Sequence, residues 1–246
     1  MENIMPFLLT IIAGLSTLIG TIFIFFKVNI SKLTNYSLSF AAGVMIAISL
    51  FDLIPESIKL LIKTKTYQNT FLSLIIFITI GLIITYLLDK IIPENKNQTT
   101  YRVGVFSLFA IIIHNIPEGI ATFLSAQSNI ALGITLTIAI ALHNIPEGIS
   151  ISVPIYSGSK NKLLAIKYTL ISALAEPLGA LLACLFLKQI VTETIMGYML
   201  ALIAGIMTSI SLTQLLPAAI KYKEKKKTII YLIFGMIFML ISIKII

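Results

Sequence analysis

Residues 42–58 read AGVMIAISLFDLIPESI, and residues 204–220 read AGIMTSISLTQLLPAAI. Nine of the seventeen positions are identical at a fixed offset of 162. An Ala-Gly pair, a serine and a proline fall at the same places in both, which general likeness between apolar helices does not explain. Whether the two copies run the same way or opposite ways through the molecule decides the architecture, and the surrounding sequence carries the answer.

The chain has 246 residues, of which 58% are apolar and 11% charged, and its mean hydropathy is +1.02. That leaves too little polar material to clothe a soluble domain of this size. Eight apolar stretches are long enough to cross a bilayer as helices: 6–26, 36–58, 70–90, 103–125, 130–153, 163–187, 194–217 and 228–245. Each is near or above the ~20 residues a spanning helix needs. The connections are short, so residues 1–246 are expected to form one transmembrane domain. The single cysteine, Cys184, excludes a disulfide framework and a thiolate metal cluster. Glu2 and no basic residue precede the first stretch, which points to a retained helix rather than a cleaved leader.

A net charge of +8 could indicate nucleic acid, but the basic residues are placed as topology signals. If the N-terminus lies outside, the loops facing the cytoplasm hold 13 Lys and Arg and those on the other side hold 5. The positive-inside rule then puts both termini outside and makes KYKEKKK at 221–227 a cytoplasmic anchor, with a lipid-headgroup or regulatory role as a lesser alternative. On this count the second stretch runs outward and the seventh inward. One sequence is thus used in opposite orientations. The expected fold is an all-α integral membrane protein of eight transmembrane helices, with an inverted repeat of spans 1–3 and 6–8 around spans 4 and 5. Secondary transporters are built this way, with the substrate site near the midplane.

Five acids of the spans are singled out: Asp52, Glu56, Glu118, Glu147 and Glu176. An ionised carboxylate in the bilayer costs on the order of 2.5–3.5 kcal/mol. No Lys or Arg lies mid-span to offset it, so these groups are either protonated or balanced by a bound ion. Asp52 and Glu56 fall toward the outer end of span 2, where water can reach them. Glu118, Glu147 and Glu176 fall near the centres of spans 4, 5 and 6.

HNIPEGI occurs at 114–120 and again at 143–149, and the two copies contain both histidines of the chain. On a helix, His at i and Glu at i+4 share a face. Imidazole and carboxylate together suit a borderline divalent ion: Zn²⁺, Fe²⁺ or Mn²⁺. Asn115 and Asn144 add amide oxygens about 100° around the axis. Pro117 and Pro146 free the carbonyls of Ile113 and Leu142, and an unpaired carbonyl at membrane depth is tolerated where it meets a cavity or a ligand. The glycine after each glutamate lets a neighbouring helix come close. Spans 4 and 5 are joined by a short turn around Gln127–Asn129, so the two words are expected to face each other as halves of one ion site.

Paired HNxPEG motifs on spans 4 and 5 of an eight-span chain resemble the ZIP (Zrt/Irt-like) family of metal transporters, in its bacterial ZupT-like branch. AEPLG at 175–179 is similar to that branch's sixth span and AGIMTSISLTQLLP to its seventh. The resemblance implies a binuclear site at the bundle centre. One ion would be held by His114, Glu118, His143 and Glu147. The second would use Asn115, Asn144 and Glu176, with Glu118 and Glu147 bridging. It further implies uptake of divalent metals into the cytoplasm across the plasma membrane, with zinc, iron, manganese, cobalt and cadmium as candidates and no prosthetic group. The partners expected are these ions and the bilayer, with a homodimer as one assembly and no nucleic acid. Two departures stand out. The segment Ile92–Arg102 is short and has no histidine, so a metal-sensing loop is not expected there. Thr213-Gln214 stands where relatives often carry acids near the inner end of span 7.

The repeat aligns Asp52 with Gln214 and Glu56 with Ala218. Asp52 and Glu56 are therefore expected to gather cations at the entrance, and Gln214 to mark an exit that lacks carboxylates. Two other function classes share parts of this pattern. An intramembrane metal-dependent hydrolase would need an open metal position and a separate base, and HExxH is absent. A proton- or sodium-coupled carrier accounts for the acids but not for the paired histidines.

Overall fold

The computed structural model describes residues 4–93, 99–187, 190–222 and 224–245, and these are almost wholly helical. Lys96, Lys188 and Lys223 of the charge count lie outside the described residues. Eight helices are long and apolar enough to span a membrane: Ile4–Phe25, Ile30–Ile62, Tyr67–Ile91, Thr100–Ser128, Ile130–Ser159, Lys162–Leu187, Glu193–Ile220 and Lys225–Ile245, called spans 1 to 8. The chain is a multi-pass membrane protein.

Polar caps set the boundaries that apolarity alone misplaces. Span 2 starts at Ile30 rather than 36 because Asn29 accepts from the backbone N–H groups of Ser31 and Lys32, and the polar first turns follow from that cap. Thr66, Asn129, Asn161 and Thr192 cap spans 3, 5, 6 and 7 in the same way. Span 5 runs through Pro154 to Ser159 and ends where Lys160 takes a left-handed conformation, φ 58°.

The inverted repeat is present in the backbone. Span 2 carries a π-turn at Ser49–Leu53 and span 7 one at Ser211–Leu215, each just before the matching Pro55 and Pro217. Proline lacks the N–H that an α-turn would use, and a one-residue widening absorbs the misfit. Packing follows the same symmetry. Span 2 lies on span 8 and span 7 lies on span 3. A Cβ at Gly43 would meet the Leu232 carbonyl and one at Gly235 that of Phe40. Equivalently, a Cβ at Gly205 would meet Ile78 O and one at Gly81 would meet Leu202 O. Tyr36 stacks on Tyr231 at 4.4 Å between centroids, and Tyr198 stacks on Phe77 at 4.3 Å. Close helix approach through glycine supplies the dispersion contact that association in lipid requires.

Spans 4 and 5 form an antiparallel pair with extensive mutual contact. Spans 3 and 8 are peripheral: only 17% and 22% of their apolar windows are buried, so their outer faces meet lipid.

Candidate metal centre

Both HNIPEGI words fall in the middle of the long helices of spans 4 and 5, with Pro117 and Pro146 inside them. The turn at Asn129 folds these helices back on each other and brings the words to one depth. His114, Asn115, Glu118, His143, Asn144 and Glu147 are all buried. The pairing runs between the words rather than within them. His114 Nε2 lies 3.0 Å from Glu147 Oε1, and His143 Nε2 lies 3.5 Å from Glu118 Oε2. The imidazoles thus stand beside the glutamates, where no Lys or Arg reaches mid-span.

The glycines of the words seat the outer helices. A Cβ at Gly119 would strike the Glu176 carbonyl, and one at Gly148 would strike that of Thr17. Glu176 reaches the cluster because span 6 breaks at Leu174 and restarts as a short helix at Ala175. Its carboxylate is buried and accepts from Asn144 Nδ2 through Oε1, while the same amide donates to Ala13 O at 2.8 Å. The structure therefore brings six of the seven residues singled out on spans 4, 5 and 6 into three contacting pairs, His114–Glu147, His143–Glu118 and Asn144–Glu176, and buries the seventh, Asn115, without a hydrogen bond.

These residues are also where hydrogen bonding is least complete. Among the described residues, the buried polar side-chain atoms without a partner include both imidazole Nδ1 atoms, one oxygen each of Glu118, Glu147 and Glu176, Asn144 Oδ1, and both amide atoms of Asn115. Leaving a buried polar group unpaired costs about 1–3 kcal/mol, more when it is charged. The five unpartnered oxygens, with the two Nε2 atoms that now face Glu147 and Glu118, are a donor set that would suit a divalent cation. As the side chains stand, no three His, Cys, Asp or Glu among the described residues are grouped closely enough to hold an ion. The His–Glu pairs hold one another instead, and an ion would take the place of each pair contact.

The pathway residues are distributed less simply. Asp52 sits on the π-turn of span 2, half-buried, within electrostatic reach of His143, Glu118 and Glu56. Glu56 is more exposed and forms an ion pair with Lys59 at 3.1 Å. Gln214 is buried on the matching π-turn of span 7. The expectation of a carboxylate-free inner end around it does not hold. Gln214 Nε2 donates to Asp89 Oδ1 at 2.9 Å, and that oxygen is also 2.9 Å from Arg102 Nη1. Asp89 lies in the last turn of span 3 and is not among the acids singled out from the sequence. Contact with Gln214 depends on how span 3 packs on span 7, and no local pattern shows it.

The profile described as "ZIP Zinc transporter" matches residues 4–102 and 94–243. The chain belongs to the ZIP family. It is 38% identical to a zinc transporter ZupT of Clostridium perfringens, over 99% of this chain and 96% of that one. Zinc transporters ZupT of Lysinibacillus sphaericus and Chlorobium phaeovibrioides are each 40% identical, over 98% and 99% of this chain and 97% and 98% of their own. A ZIP chain is a transporter and not an enzyme, which disposes of the hydrolase alternative. Within the ZIP fold, the central position of spans 4 and 5 makes the buried His–Glu cluster the place to look for substrate.

Proposed function

We propose that this ZIP protein takes up divalent transition-metal ions, zinc first, into the cytoplasm across the plasma membrane. The observation that carries the reading is the set of buried pairs His114–Glu147, His143–Glu118 and Asn144–Glu176, with buried Asn115 next in sequence to His114, and so many polar atoms of these residues unpartnered. Named relatives that are zinc transporters point the same way. The ion is the compensating charge for three buried glutamates. His114, His143, Glu118 and Glu147 hold one ion, and Asn115, Asn144 and Glu176 complete a second position bridged by Glu118 and Glu147.

Each step asks something definite of the chain. Entry requires the His114–Glu147 and His143–Glu118 pairs to open and hand their Nε2 and carboxylate atoms to the ion. Release lets those pairs close again, so the empty cluster keeps partners for its most polar groups. Asp52, between bulk water and His143, attracts the cation on its way in. Lysine placement supports both termini lying outside. Zinc suits imidazole best among the candidates, while iron and manganese remain acceptable to a site this rich in oxygen.

The test is a metal-uptake panel in reconstituted liposomes, with and without a pH gradient. Saturable zinc uptake that Glu118→Ala abolishes in a folded protein supports the reading. Transport of sodium or protons without any transition metal would replace it with the coupled-carrier alternative.

A further inference from the structure

Glycine contacts give the internal two-fold relation its register at the site. A Cβ at Gly119 would strike Glu176 O, and one at Gly179 would strike Ile116 O. Across the centre, a Cβ at Gly148 would strike Thr17 O, and one at Gly20 would strike Ile145 O. Span 4 thus lies on span 6 as span 5 lies on span 1, residue for residue. Thr17 is the counterpart of Glu176, Gly20 of Gly179, and, in the same register, Ala13 of Ser172. Spans 1 and 6 both depart from α-geometry here: span 1 tightens into a 3₁₀ helix at Thr17, and span 6 breaks at Leu174.

Asn144 uses its amide on Ala13 O and Glu176 Oε1. The two-fold carries that arrangement onto Asn115, between Ser172 and Thr17. There no such bonds form. Asn115 Nδ2 and Oδ1, Thr17 Oγ1 and Ser172 Oγ are all buried and have no hydrogen-bond partner. Serine and threonine in apolar helices ordinarily bond back to a carbonyl one turn earlier. Their neighbours on the same spans do so: Thr10 to Pro6 O, Ser16 to Ala13 O and Thr169 to Ala165 O. Thr17 and Ser172 alone of these hold their hydroxyls unbonded, on helices that pack against span 4.

We propose that Thr17, Asn115 and Ser172 form a neutral oxygen half-site for the transported cation, the two-fold counterpart of the anionic half made by Asn144 and Glu176. Of the three, only Asn115 is implied by the family resemblance. The inference rests on the reading of the His–Glu cluster as the metal site. Hydroxyl and amide oxygens are hard, uncharged donors, so this half adds coordination without charge and leaves the ion more of its water on that side. The second ion position then has one anionic side, from Glu176, and one neutral side. A fold built on symmetry has kept the geometry of both halves and the charge of only one.

The experiment measures equilibrium zinc binding to the purified full-length protein by chelator competition, for Thr17→Val, Thr17→Ser, Ser172→Ala and Glu118→Ala, with thermal stability as the folding control. Thr17→Val and Ser172→Ala should each weaken binding about tenfold, the lower end of what losing a supporting ligand costs a metal site. Thr17→Ser should restore wild-type affinity. Thr17→Val should add little in an Asn115→Ala background and its full effect in a Glu176→Gln background. Wild-type binding by a folded Thr17→Val overturns the half-site, as does equal loss in Thr17→Ser, which marks packing. If Glu118→Ala abolishes binding while Thr17→Val does not, only the half-site falls. If Glu118→Ala also binds zinc normally, the metal-site reading falls and the half-site with it.

Discussion

His114 and Glu147 belong to different copies of one word, on different helices, yet their Nε2 and Oε1 atoms lie 3.0 Å apart with both side chains fully buried. Each copy of HNIPEGI completes the other. This follows from placing identical faces on antiparallel neighbours: the histidine of one strip meets the glutamate of the other. The pair gives these two atoms a partner in a cluster otherwise short of them, and its atoms are those that the proposed ion would claim.

Removing one partner should expose that double use. Glu147→Ala and Glu118→Ala are each expected to abolish zinc uptake while the protein still inserts, because each strips a proposed bridging oxygen. His114→Ala should weaken zinc more than manganese, since imidazole favours the softer ion. Uptake assays with both metals check this, and an equal loss for the two would argue against imidazole ligation.

Acidification should weaken zinc binding. A ligating imidazole must be neutral and a ligating carboxylate ionised, so protons compete with metal for the same atoms. A binding titration from neutral to acid pH is expected to show affinity falling monotonically. Affinity that rises on acidification would contradict the ligand set.

The glycines facing the outer helices make a stability prediction. Gly148→Ala would drive a methyl into the Thr17 carbonyl, and Gly119→Ala one into that of Glu176, both backbone atoms that cannot turn aside. Overpacking of this kind costs about 1–3 kcal/mol. Gly197→Ala meets first the Leu61 side chain, its Cγ at 2.8 Å, which can shift where a backbone carbonyl cannot, and should cost less. Thermal unfolding in one detergent compares the three.

The end of span 7 at Gln214, proposed to face the cytoplasm, gives a fourth test. Asp89 is matched there by Arg102, and Gln214 completes the network without adding charge. Gln214→Glu would set a second carboxylate against Asp89 and turn a balanced cluster into a net anion. It should slow release and lower the maximal uptake rate at saturating zinc. At the other end, Asp52→Asn with Glu56→Gln should raise KM at low ionic strength and change the maximal rate little. A faster maximal rate in Gln214→Glu would show that the glutamine is not on the release path.

Much of this was legible before any coordinates. Eight spans follow from hydropathy, and the inverted repeat from nine matched positions; the π-turns at Ser49 and Ser211 then fall in register with it. The words at 114 and 143 identify themselves by repetition. What was not legible depends on packing between elements. Helical periodicity pairs His114 with Glu118 on its own strip, and only the antiparallel partner shows that Glu147 is nearer. Asp89 is not singled out until span 3 is laid on span 7. Thr17 is an ordinary threonine in an apolar helix, and its correspondence with Glu176 emerges only from the glycine contacts that fix the register of the two-fold.

The central claim is that both histidines and the glutamates between them hold the ion. Zinc K-edge X-ray absorption on the purified, zinc-loaded protein tests it most directly. The account predicts a first shell of nitrogen and oxygen near 2.0–2.1 Å with the outer-shell scattering of two imidazoles and no sulfur, falling to one imidazole in His114→Ala. Zinc bound with no imidazole scattering, or scattering unchanged in His114→Ala, would contradict it.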